Sequence, residues 1–332
     1  MDNQPGQPRQ HQDKASQGIL FILIAMFFIS INDMLIKQLS GSYPLHEMVF
    51  VRSAIGIVFS IAILQFEGGF RMLRTDKPGL HILRGLFIVV ANMSFFAALA
   101  VMPLADATAL FFVAPLLITV LSIPFLGEKV GPRRLLAVVV GFAGVIVMLR
   151  PGRLDGETTT GQLIQLLPVI GAFAYACMQI LTRRLGISST ASAMAIYIQF
   201  TFLAVSIIFW LIAGDGRFVE GLENKSAIFL LRAWTWPADG DWPWFILLGL
   251  SSAFIGYSLS QAYRSADAAT IAPFEYVALP MSIMWGWVIF GELPDGWVAV
   301  GIALIGGSGL YVFLREKQRS RPVASRRPNR RY

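Results

Sequence analysis

The sequence predicts an all-α integral membrane protein, with ten transmembrane helices arranged as two inverted five-helix repeats. Three observations lead there. Hydrophobic residues make up 55% of the 332-residue chain and charged residues 14%, against roughly 25% charged in a soluble domain. Apolar runs long enough to cross a bilayer recur ten times. The two halves of the chain also repeat one another.

A helix needs about 20 apolar residues to span the hydrocarbon core. Ten runs qualify: 18–38, 46–66, 80–101, 105–126, 133–149, 163–184, 191–213, 242–263, 268–290 and 297–315. Met1–Gln17 is polar, and the run after it is too long for a signal-peptide core, so no cleaved leader is expected. Short junctions at Met102–Leu104 and Gly291–Gly296 force antiparallel neighbours. The longest connection, 214–241, holds Trp234 and Trp236, with Trp242 and Trp244 beyond it, which suits an interfacial aromatic belt. Ile228–Leu231 within that connection is too short to span.

Charge orients the chain. Of the 27 Lys and Arg, 19 fall on the side of the termini and 6 on the other, with Arg52 and Arg84 inside spans. Positive residues stay cytoplasmic, so both termini are expected in the cytoplasm, as in a bacterial inner-membrane protein. This asymmetry also accounts for the net charge of +7. The basic stretch Arg315–Arg331 reads as a topology anchor against anionic membrane lipid, and no nucleic-acid partner is expected. Cys177 is the only cysteine, so no internal disulfide can form. The three histidines are isolated, and neither a metal nor a cofactor is expected.

The repeat is clearest in the last two spans of each half. Ala114-Pro115-Leu116 leads to Phe125-Leu126-Gly127-Glu128, and Ala278-Leu279-Pro280 leads to Ile289-Phe290-Gly291-Glu292, the Gly-Glu pairs lying 164 residues apart. A glycine-rich span follows each pair, with Gly141 and Gly144 or with Gly301, Gly306 and Gly307. These glycines read as close-packing positions. Ala137 stands where the second half has Gly301. Earlier in each half the match weakens, and Asp33 and Lys37 fall opposite Gln179 and Arg183. Residues 18–150 and 163–315 are the two units, with a tail at 1–17, a linker at 151–162 and a basic tail at 316–332. Five spans per unit is an odd number, so consecutive units enter the membrane in opposite senses, the design of alternating-access transporters.

On these residues, with Arg52 and the runs Gln261-Ala262-Tyr263-Arg264 and Ile271-Ala272-Pro273-Phe274-Glu275-Tyr276, the chain resembles the drug/metabolite transporter superfamily, in its ten-helix group with two EamA-type repeats. The resemblance covers roughly residues 18–315. It implies a transporter of a small organic solute. The family's substrates range over exported amino acids, nucleotide-like metabolites, vitamins such as riboflavin, and metallophores.

Polar side chains inside spans are costly and mark candidate sites. Asp33 lies one helical turn from Lys37 on the same face. Arg52 lies roughly 12 Å into its helix at 1.5 Å per residue. These two either bind solute or pin helices together as a pair. Asn92, Gln179, Tyr197, Tyr257 and Gln261 are candidate hydrogen-bonding groups of a cavity. Glu275 lies roughly 11 Å into the ninth span. It follows Pro273, which frees a backbone carbonyl and kinks a helix, and its counterpart in the first half is Phe111. A carboxyl there is a candidate for coupling transport to protons, and a hydrogen bond to Tyr257 or Arg264 is the structural alternative. Glu128 and Glu292 end helices where the macrodipole disfavours them. Each therefore needs a structural partner, and Arg133 or Arg134 is near Glu128.

The chain lacks the phosphate-binding G-x-x-x-x-G-K-[ST] run, so transport is expected to use an ion gradient or exchange. Gly306-Gly307-Ser308-Gly309 matches the G-x-S-G nucleophile motif of intramembrane proteases. A serine nucleophile needs a base, and no histidine follows His81, so no enzyme is expected. A receptor has no need of two inverted halves. Aromatic and amide candidates suit a planar, polar, mostly neutral solute. Riboflavin uptake, chosen largely on the resemblance, is the first expectation and amino-acid export the second. Proton or ion coupling and a homodimer are both compatible with the sequence.

Overall fold

The computed structural model describes residues 7–128, 130–149, 159–186 and 188–319. Among them the chain is helical, with short 3₁₀ turns and no strand. Most of the expected linker at 151–162 and of the expected basic tail at 316–332 lies outside the described residues.

The first half runs α1 (Gln7–Leu39), α2 (Leu45–Glu67), α3 (Pro78–Leu99), α4 (Leu104–Phe111), α5 (Ala114–Leu126) and α6 (Pro132–Leu149). The second runs α7 (Thr159–Leu185), α8 (Ala191–Ala213), a short α9 (Lys225–Leu231), α10 (Trp242–Ser265), α11 (Ala268–Ile271), α12 (Ala278–Phe290) and α13 (Gly296–Arg319). Seven stretches, Leu104–Leu126 among them, are long and apolar enough to cross a bilayer, and Leu135–Leu149 and Gly296–Gly309 are shorter apolar helices. The helix α9 lies in the long connection and does not span.

Two expected spans are not continuous helices. The run 105–126 breaks between α4 and α5, and 268–290 breaks into α11, the 3₁₀ turn Ala272–Val277 and α12. The reason is local. Pro115 sits in the first turn of α5, and Pro273 in the first turn of the 3₁₀ segment. A proline has no N–H to continue the ladder behind it, and the 3₁₀ turn closes the gap with tighter i→i+3 bonds. The helix α1 also starts at Gln7, earlier than the expected tail boundary.

The Gly-Glu pairs have a backbone cause. Gly127 (φ 69°) and Gly291 (φ 66°) adopt the left-handed conformation that ends α5 and α12. The next amide bonds back six residues, Glu128 N to Ser122 O at 3.2 Å and Glu292 N to Gly286 O at 2.9 Å. Each glycine's own amide bonds back four residues, Gly127 N to Ile123 O at 3.1 Å and Gly291 N to Trp287 O at 3.2 Å, which is the left-handed cap that glycine permits.

Packing pairs the halves. α1 lies along α10, and α3 along α7. Exchanging first and second halves turns one of these pairs into the other. α2 pairs with α8 and α6 with α13, each the other's counterpart. At the α6–α13 crossing, a Cβ on Gly144 would stand 3.0 Å from the Gly301 carbonyl, and one on Gly301 would stand 2.1 Å from Met148. Those two glycines and Gly141 are close-packing positions as expected. Gly306 and Gly307 are not: a Cβ on Gly307 would meet nothing within 4 Å, and one on Gly306 only Leu279 at 3.8 Å.

Candidate functional site

A cavity of about 140 Å³ lies between the halves. Its walls are mixed aliphatic, aromatic and polar, the aromatic rings being Phe95, Phe96, Phe111, Phe112, Phe202 and Tyr175. Its ionisable groups come from both halves: Asp33 (α1), Arg52 (α2), Arg84 (α3) and Glu275 (3₁₀ turn).

Glu275 is 2% exposed. Its Oε1 accepts from Tyr263 Oη at 2.6 Å and from Tyr175 Oη at 3.1 Å. Gln179 Nε2 donates to Tyr175 Oη at 2.7 Å and sets that hydroxyl's direction. The expected partners Tyr257 and Arg264 do not hold it. Tyr257 makes an edge contact with Phe21 and bonds Glu67, and Arg264 bonds Gln261. The next residue, Tyr276, packs its ring over Gly309, where a Cβ would stand 2.0 Å away. That contact explains a glycine in the Gly-Ser-Gly run, and Ser308 Oγ donates to its own helix at Ile305 O, 2.8 Å.

Arg52 is 4% exposed and sits over the rings of Phe96 and Phe202, 5.7 and 5.2 Å from their centroids. Nη1 donates to Asn32 Oδ1 at 2.9 Å and Nη2 to Asn92 Oδ1 at 2.8 Å, while Nε has no hydrogen-bond partner among the described residues. Asp33 is within electrostatic range of Arg52 and lines the same cavity, but the two make no hydrogen bond among the described residues. The expected Asp33–Arg52 pin is thus an Asn32–Arg52 pin, with the Asp33 carboxylate left to the cavity.

Arg84 was noted in the sequence without a role. It is 1% exposed and reaches three helices of the second half. Nε donates to Thr182 Oγ1 at 2.7 Å, Nη1 to Met194 O at 2.9 Å and Nη2 to Ser260 Oγ at 3.1 Å. Among the described residues no carboxylate pairs with it.

Four candidates therefore meet at the cavity: Glu275, Asp33, Arg52 and Asn92. Gln179 stands one hydrogen bond behind Tyr175. Tyr197, Tyr257 and Gln261 lie elsewhere. Tyr197 donates to Leu73 O and stacks on His81, and Gln261 Oε1 accepts from Arg264 Nη1 at 3.2 Å. Sequence reasoning missed Asn32, Arg84, Tyr175 and Tyr263. Tyr175 was findable, since it lies one turn before Gln179 on the same face.

Glu128 and Glu292 lie away from the cavity, at opposite ends of the bundle. Glu292 takes Lys37 Nζ at 2.6 Å and the backbone N–H of Leu104 at 3.1 Å. Glu128 Oε1 accepts the backbone N–H of Ala268 at 3.0 Å.

Residues 16–150 match the EamA-like transporter family. The chain carries an EamA-like transporter domain. That domain comprises the first five spans, α1 to α6. Over nearly its whole length the chain is also similar to named transporters. A riboflavin transporter of Rhizobium johnstonii is 28% identical, with 94% of this chain and 95% of the relative covered. An S-adenosylmethionine uptake transporter of Rickettsia prowazekii is 26% identical, with 91% and 94% covered. A crystal structure at 21% identity shares the fold with a TM-score of 0.66, covering 92% of this chain and 99% of that one.

Proposed function

We propose that this chain is a secondary transporter that takes up a small planar metabolite of the riboflavin kind by alternating access. The cavity between the halves carries this reading. The six aromatic rings in its wall suit a flat ring system, and Arg52, Asn92 and Glu275 offer that ring hydrogen-bonding groups along its edge. Concave, mostly apolar sites with a few placed polar groups are the common form of small-molecule sites. The name of the Rhizobium johnstonii relative points the same way.

Residues 18–150 and 163–315 act as the two repeats, and the pairing of α1 with α10 and of α3 with α7 supports that division. Both termini face the cytoplasm, supported by the excess of Lys and Arg on that side. Glu275 is the candidate coupling carboxyl.

A second reading has its own observation. Two guanidinium groups and two carboxyl groups around one cavity also suit a zwitterion, such as an S-adenosylmethionine-like solute or an amino acid. Expression in a bacterial riboflavin auxotroph separates the two. Growth on low riboflavin, together with uptake of the labelled vitamin, is the expected result. Uptake of labelled S-adenosylmethionine without riboflavin uptake would replace the first reading by the second.

A further inference from the structure

Glu128 and Glu292 each end the broken helix pair of one half, and each holds the start of the broken pair of the other half. At one end of the bundle, Glu292 beyond α12 accepts from Leu104 N, the first residue of α4, at 3.1 Å. At the other end, Glu128 beyond α5 accepts from Ala268 N, the first residue of α11, at 3.0 Å. A helix start presents N–H groups with no partner in their own helix, and a carboxylate there is favourable. The glutamate that its own helix end disfavours is thus stabilised by the helix of the opposite half.

A cation stands at each end, bonded to a backbone carbonyl near the start of the broken pair, though with a different carboxylate partner. Lys37, near the end of α1, donates to Met102 O at 3.0 Å, just before α4, and pairs with Glu292. Arg183, near the end of α7, donates to Arg264 O at 3.1 Å and pairs with Asp267 at 2.9 Å, just before α11. α1 and α7 are counterparts, as are α4 and α11. Both clusters are formed at once, so at these points both ends of the bundle are tied. The tied elements are the two broken spans, which also line the cavity through Thr108 and Phe111 on one side and Glu275 and Ala278 on the other.

We propose that Glu128 and Glu292 are the two gate residues of the transport cycle: opening one end breaks the glutamate contact there while the contact at the other end holds. This rests on the alternating-access reading above. A state in which one contact is broken gains population when that contact is removed, because the other state alone loses a charge-assisted hydrogen bond.

The test reads access to the cavity, not transport. Cys177, the native cysteine, is changed to serine, and Thr108→Cys serves as a cavity reporter for a membrane-impermeant maleimide in right-side-out and inside-out vesicles. Glu292→Ala is expected to raise labelling from the Lys37 side roughly tenfold and to lower it from the other side. Glu128→Ala is expected to do the reverse. If the alanine variants fail to accumulate, Glu292→Gln and Glu128→Gln, which keep an acceptor oxygen for the backbone N–H, should show smaller shifts of the same opposed signs. Labelling that changes in the same direction for both glutamates, or for neither, in folded protein would overturn the proposal. Opposed shifts without flux of any tested solute would sink the substrate assignment and leave the gates standing. Flux without opposed shifts would sink the gates alone.

Discussion

Replacing Glu275 by glutamine is expected to leave the protein folded and inserted but to reduce transport by roughly 10- to 150-fold, the effect of losing a charged hydrogen-bonding group worth about 1.5–3 kcal/mol. The fold is expected to survive because the amide oxygen can still accept from Tyr175 and Tyr263, the two hydroxyls that hold Oε1. What the variant loses is the ability to carry a charge or a proton at a buried point of the cavity wall. Intramembrane carboxyl groups of this kind serve ion and proton pathways. Any dependence of flux on pH that arises at Glu275 should vanish with it. The measurement is solute uptake across a pH series, with expression and monodispersity checked alongside. Wild-type flux with an unchanged pH response in a well-expressed Glu275→Gln protein would remove Glu275 from the mechanism.

Arg84→Ala is expected to be the most damaging single change to stability. One guanidinium bridges α3 to α7, α8 and α10 through three hydrogen bonds. Its removal leaves the Met194 carbonyl and the Ser260 hydroxyl short of a partner, while Thr182 Oγ1 keeps its bond to Met178 O. The expected cost is on the order of 3 kcal/mol, seen as a lower melting temperature in detergent and a smaller folded yield. Arg84→Lys should fall between. An ammonium keeps the charge but lacks the planar fork that reaches three acceptors in fixed directions. A melting temperature for Arg84→Ala equal to wild type would show that the bridge between the halves does not hold them.

Much of the architecture was legible in the sequence because a bilayer imposes a simple length rule on apolar runs. The ten runs, the short loop helix that does not span, and the tight junctions all follow from it. The interruptions in the fourth and ninth spans were harder to read. Hydropathy is blind to whether a run is one helix or two, and the prolines that break these runs are tolerated inside membrane helices elsewhere.

The site was legible in position and not in partners. Glu275 stood out as an intramembrane carboxyl beside a proline, but which tyrosine faces it depends on rotation about a helix axis. Tyr257 and Tyr263 are six residues apart on α10. At 3.6 residues per turn they point about 120° apart, and Tyr263 is the one turned toward Glu275. Asp33 and Asn32 differ in the same way: adjacent residues point to different faces, and Asn32 is the one that meets Arg52. Glu128 shows a different limit. The repeat revealed that it is equivalent to Glu292, but equivalence is not contact. Closeness along the chain points to Arg133 and Arg134, and it cannot show that Glu128 also accepts the N–H of Ala268 in the other half.

The central claim is gradient-driven passage of a small organic solute through the cavity between the halves. Purified protein in liposomes, with an imposed proton or sodium gradient and no nucleotide, tests it most directly. The account predicts accumulation of labelled riboflavin, or of a zwitterion if the second reading holds, that collapses when the gradient is dissipated or when Glu275 is replaced by glutamine. Absence of flux for every solute under every gradient and exchange condition, or flux that requires ATP hydrolysis by this chain, would contradict it.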